Sequence, residues 1–349
     1  MPGLDEHGGW PALLSTLLAG DDLEPAAAGA AMSTILDGDA TEAQIAGFII
    51  ALRAKGETAD ELAAMLASVM AAAALVPLTE DERADTIDVV GTGGDGSHSI
   101  NVSTMAAIVT AGAGVPVCKH GNRSASSKCG TADVLELLGV TIEQTPDGVA
   151  QCLRSAGIAF CFAPAFHPAF RFAGPPRRQM GVPTAFNLLG PMANPGRVRR
   201  QLIGVADPSF AEPMLGALHA QGVGSAWVVH GGGLDELSTI TTSTADVLRD
   251  GETERISIDP VALGLAPATR DDLRGGEPEE NAEAVRRVLA GDRGPHRDVV
   301  LLNAAAALVV AERVSDLTAG LDLAASVVDD GRAAAVLDRF VSASQPAAG

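Results

Sequence analysis

The chain has 349 residues, enough for two domains or for one large domain with an accessory lobe. Apolar residues make up 47%, ample for a core, but aromatic residues make up only 3% and tyrosine is absent, so stacking platforms for single-stranded nucleic acid are scarce. A formal net charge of −20 argues against a DNA- or RNA-binding surface, and no apolar run is long enough to span a bilayer.

Residues 1–77 read as helices. Trp10-Pro11 starts one, with proline at a tolerated first position. Pro25 to Leu36 is alanine-rich and stops at Asp37-Gly38. Thr41-Glu-Ala-Gln44 and Thr58-Ala-Asp-Glu61 are capping-box patterns, each followed by apolar residues at helical spacing. Pro77 ends the series. The apolar faces of this lobe suit an internal core shared with a dimer interface. Residues 78–86 are acidic and polar and read as a hinge.

From Ile87 the pattern changes to alternating strands and helices. Ile87 to Val90, Val115 to Val117, Ile158 to Phe162, Arg200 to Ala206 and Ala226 to His230 are strand candidates. Helices are expected at 102–113, 131–138, 148–156 and 208–221. That alternation implies a mostly parallel sheet with helices on its faces. Residues 238–260 suggest further strands, one of them antiparallel. Helices follow near 279–289, 298–312 and 317–343. The four cysteines (Cys118, Cys129, Cys152, Cys161) form no C-x-x-C pair, so neither zinc nor disulfides are indicated, and reduced thiols fit a cytoplasmic enzyme. The chain begins Met-Pro-Gly-Leu-Asp-Glu, with no signal-peptide pattern.

Two glycine-rich loops dominate residues 88–138. The first reads Gly91-Thr-Gly-Gly-Asp95-Gly-Ser-His-Ser99-Ile-Asn101-Val102-Ser103-Thr104. The second reads Lys119-His120-Gly121-Asn122-Arg123-Ser124-Ala125-Ser126-Ser127-Lys128-Cys-Gly-Thr131. Each follows a short apolar run and opens into a helix. The glycines allow tight turns and close approach of backbone to a ligand. Bare N–H groups there and at the helix start near Ser103 and Thr104 form an anion cradle. Only three lysines occur in the chain, and two of them (Lys119 and Lys128) lie in the second loop beside Arg123. An acidic protein that binds a polyanion must concentrate its few cations in this way.

Four further stretches need weighing. Pro164-Ala-Phe-His167-Pro168 leads to Arg177-Arg178, then to Asn187-Leu-Leu-Gly190-Pro191. A guanidinium matches the two oxygens of a carboxylate, and Arg178 rivals Arg177 for that task. Arg197, Arg199 and Arg200 read as a solvated basic loop. Gly231-Gly-Gly-Leu-Asp235-Glu236 places adjacent carboxylates after a glycine turn, a pattern that suits Mg²⁺. Ser326-Val-Val-Asp-Asp330-Gly superficially matches the diphosphoribose fingerprint of the common phosphoribosyltransferases, but its helical context makes it a helix end with a glycine stop.

Gly91-Thr-Gly-Gly-Asp95 with Asn101-Val-Ser-Thr104, and Lys119-His-Gly-Asn-Arg123 with Ser126-Ser127, resemble the signatures of the anthranilate phosphoribosyltransferase family, and the likeness extends over nearly the whole chain. The resemblance implies a helical domain over 1–77, joined in space by part of 165–195, and an α/β domain over 78–349. This is a nucleoside phosphorylase-like architecture, that of the class IV phosphoribosyltransferases. It implies that Gly91, Gly94, Asp95, Ser99, Asn101, Val102, Ser103, Thr104, Lys119 to Ser127 and Thr131 bind phosphoribosyl pyrophosphate. Gly91, Asn122 and Arg177 would bind anthranilate, with His120, His167 and Gly190 lining its path. Ser103, Asp235 and Glu236 would hold two Mg²⁺ ions, and the helical domain would form a homodimer. Cys129 and Thr131 stand where serines are frequent in the family.

Two other readings stay open at this point. A pyrimidine nucleoside phosphorylase shares the architecture but needs neither Asp235-Glu236 nor an arginine for a carboxylate. A non-enzymatic nucleic-acid-binding relative needs a basic groove, which the charge disfavours.

Overall fold

Brief β-branched runs bounded by glycine and proline pair into one sheet. The computed structural model describes residues 3–124 and 128–345. Its strands are β1 (Ile87–Gly91), β2 (Val117–Gly121), β3 (Ile158–Phe162), β4 (Arg200–Gly204), β5 (Ser225–His230), β6 (Ser243–Arg249) and β7 (Glu252–Ile258), in the order β3-β2-β1-β4-β5-β6-β7. The first five are parallel. They are covered on both faces, so they are buried almost throughout, and β3 is apolar along its whole length. β6 and β7 are both antiparallel, where the sequence suggested one such strand. They close through Asp250-Gly251, both at positive φ (51° and 83°), a two-residue turn matched to strand twist. β7 is the sheet's outer edge, and Glu252, Thr253, Glu254 and Arg255 are exposed along it.

Strand order reverses between β1 and β4, and ligand crevices open beyond the carboxyl ends of strands at such a point. Gly91 and Gly204 are register partners at the ends of these two strands. β2 runs from Val117 to Gly121 rather than ending at Val117. Lys119 and His120, read as loop residues, are therefore strand residues and are buried.

The lobe contains helices Gly9–Leu18, Pro25–Asp37, Glu42–Lys55 and Ala59–Ala71. Both capping boxes form: Thr41 Oγ1 accepts from Gln44 N–H at 3.3 Å, and Thr58 Oγ1 accepts from Glu61 N–H at 3.2 Å. Buried Glu61 also accepts from Lys55 Nζ (2.9 Å) and Leu23 N–H (2.8 Å), so the third lysine is structural. Phe186, Leu188 and Leu189 of helix Ala185–Met192 share a core with Phe48 and Met65 of the lobe. That core continues into Ile203, Val205 and Val228 on one face of the sheet. The other face packs Val89, Leu202 and Trp227 against helices Val102–Gly112 and Pro295–Val310.

Three local expectations change. The hinge at 78–86 contains a helix, Glu80–Asp85, capped by Thr79, whose Oγ1 accepts from Glu82 N–H at 3.2 Å. Arg154 donates to Glu82 (2.6 and 2.9 Å) and Arg199 to Glu80 (2.7 Å), so the segment is tethered. Arg199 and Arg200 are accordingly not a free solvated cluster: Arg199 also donates to Gly222 O (3.0 Å), and Arg200 opens β4 and pairs with Glu312 (3.2 Å). The closing region is two helices, Leu317–Asp329 and Arg332–Ser344, divided at Gly331 (φ 78°), as the glycine stop required. All four cysteines are buried and none forms a disulfide. Among the described residues no helix is long and apolar enough to cross a membrane.

Candidate active site

The site begins with a gap. A Cβ on Gly204 would lie 1.5 Å from the backbone oxygen of Asp235, and one on Gly91 would lie 2.2 Å from its Oδ2. Two facing glycines thus let the Gly231–Glu236 turn descend onto the ends of β1 and β4. Asp235 Oδ2 accepts from Gly93 N–H at 2.7 Å, and Glu236 Oε1 accepts from Ser103 N–H at 3.2 Å. The turn is itself braced: His230 Nε2 accepts from Gly233 N–H (3.1 Å), and Arg270 donates to Gly232 O (2.9 Å). Sequence reading overlooked His230 and Arg270, since both partners are backbone atoms brought close only by the fold.

Lys119 lies beneath this pair. Its Nζ donates to Val89 O and to Ser103 Oγ, the latter at 3.2 Å. Burial lowers its pKa, against the opposing charges of Asp88, Glu236 and Asp235. Burial raises Asp235 to about 7, with the charge of Asp95 acting in the same direction. Burial, then the charge of Asp235, holds Glu236 well above the usual carboxylate range. Asp95 Oδ2 is buried without a partner among the described residues. Crowded, mutually repelling carboxylates of this kind suit a hard divalent cation. Among the described residues no group of three or more His, Cys, Asp or Glu could hold a metal ion by itself. An ion bound by Asp235, Glu236 and Ser103 would complete its shell with ligand oxygens and water, as Mg²⁺ does.

The first loop, with Gly94, Asp95 and Ser99, keeps itself in shape: Asp95 Oδ1 accepts from Ser97 N–H (3.0 Å), and Ser97 Oγ donates to Ser99 Oγ (3.2 Å). Val102 is buried at the following helix start, and Thr104 Oγ1 donates to Thr131 Oγ1 at 3.2 Å, which joins the two loops. In the second loop Asn122 Oδ1 accepts from Arg123 N–H at 2.7 Å. Asp133 Oδ2 accepts from Gly130 N–H (2.8 Å) and Ser124 N–H (3.3 Å). Arg123 pairs with Asp133 (2.8 Å) and Glu136 (2.5 Å), and Lys128 with Glu277, so these two cations face acidic side chains. Ala125, Ser126 and Ser127 lie outside the described residues.

Asp88 is the hidden support of β2. Fully buried, it accepts from His120 N–H (3.1 Å) and from Asn194 Nδ2 (2.7 Å), and burial pushes its carboxyl up to about 6. His120 Nδ1 then meets Gly190 O at 3.0 Å, and its Nε2 is buried without a partner among the described residues. From His120 a file of rings crosses to the second segment. Centroids are 5.2 Å apart for His120–His167, 5.3 Å for His167–Phe170 and 5.3 Å for Phe170–Phe186, and Arg177 lies 5.2 Å over Phe186. Arg177 is half-buried and Arg178 exposed. Arg177 Nη2 donates weakly to Asn187 Oδ1 at 3.4 Å, and burial lowers its pKa. Gly121 lies against Phe160 and Thr131, where a Cβ would approach to 2.9 and 3.4 Å.

Residues 11–74 match the helical bundle domain of the glycosyl transferase family, and residues 83–334 match that family's a/b domain. The chain is 50% identical over 338 residues to the anthranilate phosphoribosyltransferase of Salinispora arenicola, covering 95% of this chain and 96% of that one. The crystal structure of anthranilate phosphoribosyltransferase from Thermus thermophilus superposes with a TM-score of 0.88 at 38% identity, over 96% of this chain and 99% of that one. The Saccharomyces cerevisiae enzyme in complex with PRPP and Mg gives a TM-score of 0.88 at 26% identity, over 98% and 99% of the two chains.

Proposed function

The chain belongs to the anthranilate phosphoribosyltransferase family of the glycosyl transferases, and on that footing we propose how its own residues carry the reaction. The enzyme transfers the phosphoribosyl group of 5-phosphoribosyl 1-pyrophosphate (PRPP) to the amino group of anthranilate and releases pyrophosphate. The observation that carries the residue assignment is the Gly91–Gly204 gap, which brings Asp235 and Glu236 over two amide-rich loops and buried Lys119.

The two loops, from Gly91 to Thr104 and from Lys119 to Thr131, hold the donor through backbone N–H groups and hydroxyls. Asp235, Glu236 and Ser103 hold Mg²⁺, and we assign two ions. Bound there, the metal offsets charge that builds on the leaving pyrophosphate oxygens. Fixed N–H dipoles do the same, and removing one such donor costs on the order of 10²-fold in turnover. The aromatic amine is neutral near pH 7, so the acceptor half needs orientation more than a strong base. Arg177 takes the anthranilate carboxylate. The ring file from His120 to Phe186 flanks the acceptor, and Gly91, Asn122 and Gly190 complete its surroundings.

We further assign residues 1–77, with part of 165–195, to the helical domain and 78–349 to the α/β domain. Leu18 is 80% exposed and Ile50 42% exposed, two large apolar side chains on the lobe that support a homodimer through this domain. We place the enzyme in the cytoplasm, in keeping with four cysteines that form no disulfide. The deciding assay is loss of anthranilate fluorescence in the presence of PRPP and Mg²⁺, with PRPP omitted as control. Thymidine phosphorolysis without Mg²⁺, and no loss of anthranilate, would overturn the reading.

A further inference from the structure

Asn281 is 3% exposed near the start of helix Pro278–Leu289, a position where asparagine has poor helix propensity. Its Oδ1 accepts from Gly276 N–H at 2.8 Å, and its Nδ2 donates to Asn101 Oδ1 at 2.9 Å. Asn101 Nδ2 in turn donates to Cys129 O at 3.3 Å. The two ends of this chain are backbone groups with fixed roles: Gly276 N–H can only donate and Cys129 O can only accept. Each amide side chain therefore has one orientation that satisfies both neighbours, and Asn281 holds that of Asn101 together with Cys129, whose Sγ also donates to Asn101 Oδ1 at 3.6 Å. The segment before Asn281 is laid on the first loop as well. Gly275 N–H donates to His98 O (2.8 Å), and Ile100 N–H to Leu273 O (3.1 Å). A Cβ on Gly275 would sit 2.7 Å from Asn281 Oδ1 and 2.9 Å from Ser99 O, so the contact tolerates no side chain there.

We propose that Asn281 is a positioning residue for the donor half of the reaction: through Asn101 it locks the first glycine loop to the start of the helix after the second, in the register that PRPP requires. This rests on the PRPP reading above. Asn281 touches no reacting atom. Its effect passes through the facing amides of Asn101 and the carbonyl of Cys129, and it leaves the Arg177 half of the site untouched.

Asn281→Asp separates the parts of this arrangement. The near-isosteric carboxylate still accepts from Gly276 N–H but turns an oxygen toward Asn101 Oδ1. If Asn101 rotates to donate to it, the oxygen of Asn101 then faces Cys129 O. Neither orientation satisfies both ends. Asn281→Ala removes both bonds, and Glu283→Gln on the same helix is the control. Calorimetry gives the Kd for PRPP with saturating Mg²⁺, steady-state assays give the KM of each substrate, and a melting curve gives stability. The expected result is a rise of about 10-fold or more in Kd and KM for PRPP in both Asn281 variants. The anthranilate KM should stay within about twofold, and Glu283→Gln should match the parent. Lower melting midpoints with an unchanged KM for PRPP in the surviving enzyme would overturn the proposal, as would equal rises for both substrates. If the unsubstituted protein failed to bind PRPP, the functional reading itself would fall, a result distinguishable from either.

Discussion

Gly91→Ala probes the gap at the centre of the site. Gly91 does not adopt a positive φ, so alanine meets no backbone penalty there and the effect is steric. The new methyl would lie 2.2 Å from Asp235 Oδ2, 3.0 Å from its Cγ and 3.2 Å from its backbone oxygen. Ordinary contact begins at 3.4 Å, so the carboxylate must retreat by about 1.2 Å (3.4 less 2.2) while the backbone oxygen gives only about 0.2 Å. Side-chain rotation can supply that retreat, at the expense of the 2.7 Å bond from Gly93 N–H. A misplacement of about 1 Å in a preorganised site costs on the order of 10²-fold. The fluorescence assay should therefore show kcat/KM down about 10²-fold and half-saturation by Mg²⁺ shifted upward, with a melting midpoint within a few degrees of the parent. Gly204→Ala is the contrast: its methyl meets the Asp235 backbone at 1.5 Å, no rotamer relieves that, and the protein should fail to fold. A Gly91→Ala enzyme with kcat/KM within about threefold of the parent and normal Mg²⁺ dependence would refute the assignment of Asp235.

Arg177→Ala should raise the KM for anthranilate at least about tenfold with the PRPP KM unchanged, while exposed Arg178→Ala should change neither; steady-state kinetics with each substrate varied decides. Burial lowers His167 to about 4, outweighing the contact of its Nε2 with Ala193 O at 2.8 Å, which acts the other way. The fold therefore favours the neutral ring. Its contribution is present above the ordinary histidine value of 6.5 and is lost as pH falls from 6.5 through 4, on the order of 3 kcal/mol in all. Urea titrations of His167→Gln should show a flatter decline of stability over that window, and an unchanged slope would contradict the argument. Leu18→Glu should convert the proposed homodimer to a monomer in light scattering; a mass equal to the parent's would count against an interface at Leu18.

Local patterns carried much of this architecture. The capping boxes at Thr41 and Thr58, the glycine stop at Gly331 and the five apolar runs of the parallel sheet were all readable, because each depends on residues a few positions apart. Thr79-x-x-Glu82 is an equally good capping box, but its acidic surroundings resemble those of a linker. The limits of β2 were misread for a different reason. Lys119 and His120 look like loop residues, and only Asp88, Gly190 and Ser103, each at least 16 positions from the residue it serves, make their burial tolerable. The same distance hid Asn194 and Asn281, whose partners Asp88 and Asn101 lie 106 and 180 positions away. The glycine loops and the Asp235-Glu236 pair stood out by composition. The facing glycine at 204 did not, because its purpose exists only once β1 and β4 are neighbours.

The outer strand of the sheet has a consequence for self-association. Its Glu252, Glu254 and Arg255 line an edge whose unpaired N–H and C=O groups would otherwise recruit another strand. Arg255 is held by Asp246 at 2.8 Å, across the hairpin rather than outward. Two such edges paired antiparallel about Thr253 would set Glu252 of one molecule opposite Glu254 of the other, and charges on an edge strand oppose pairing of this kind. Open-ended growth by strand addition is thereby discouraged, in keeping with the closed, side-chain-packed association proposed for the helical lobe.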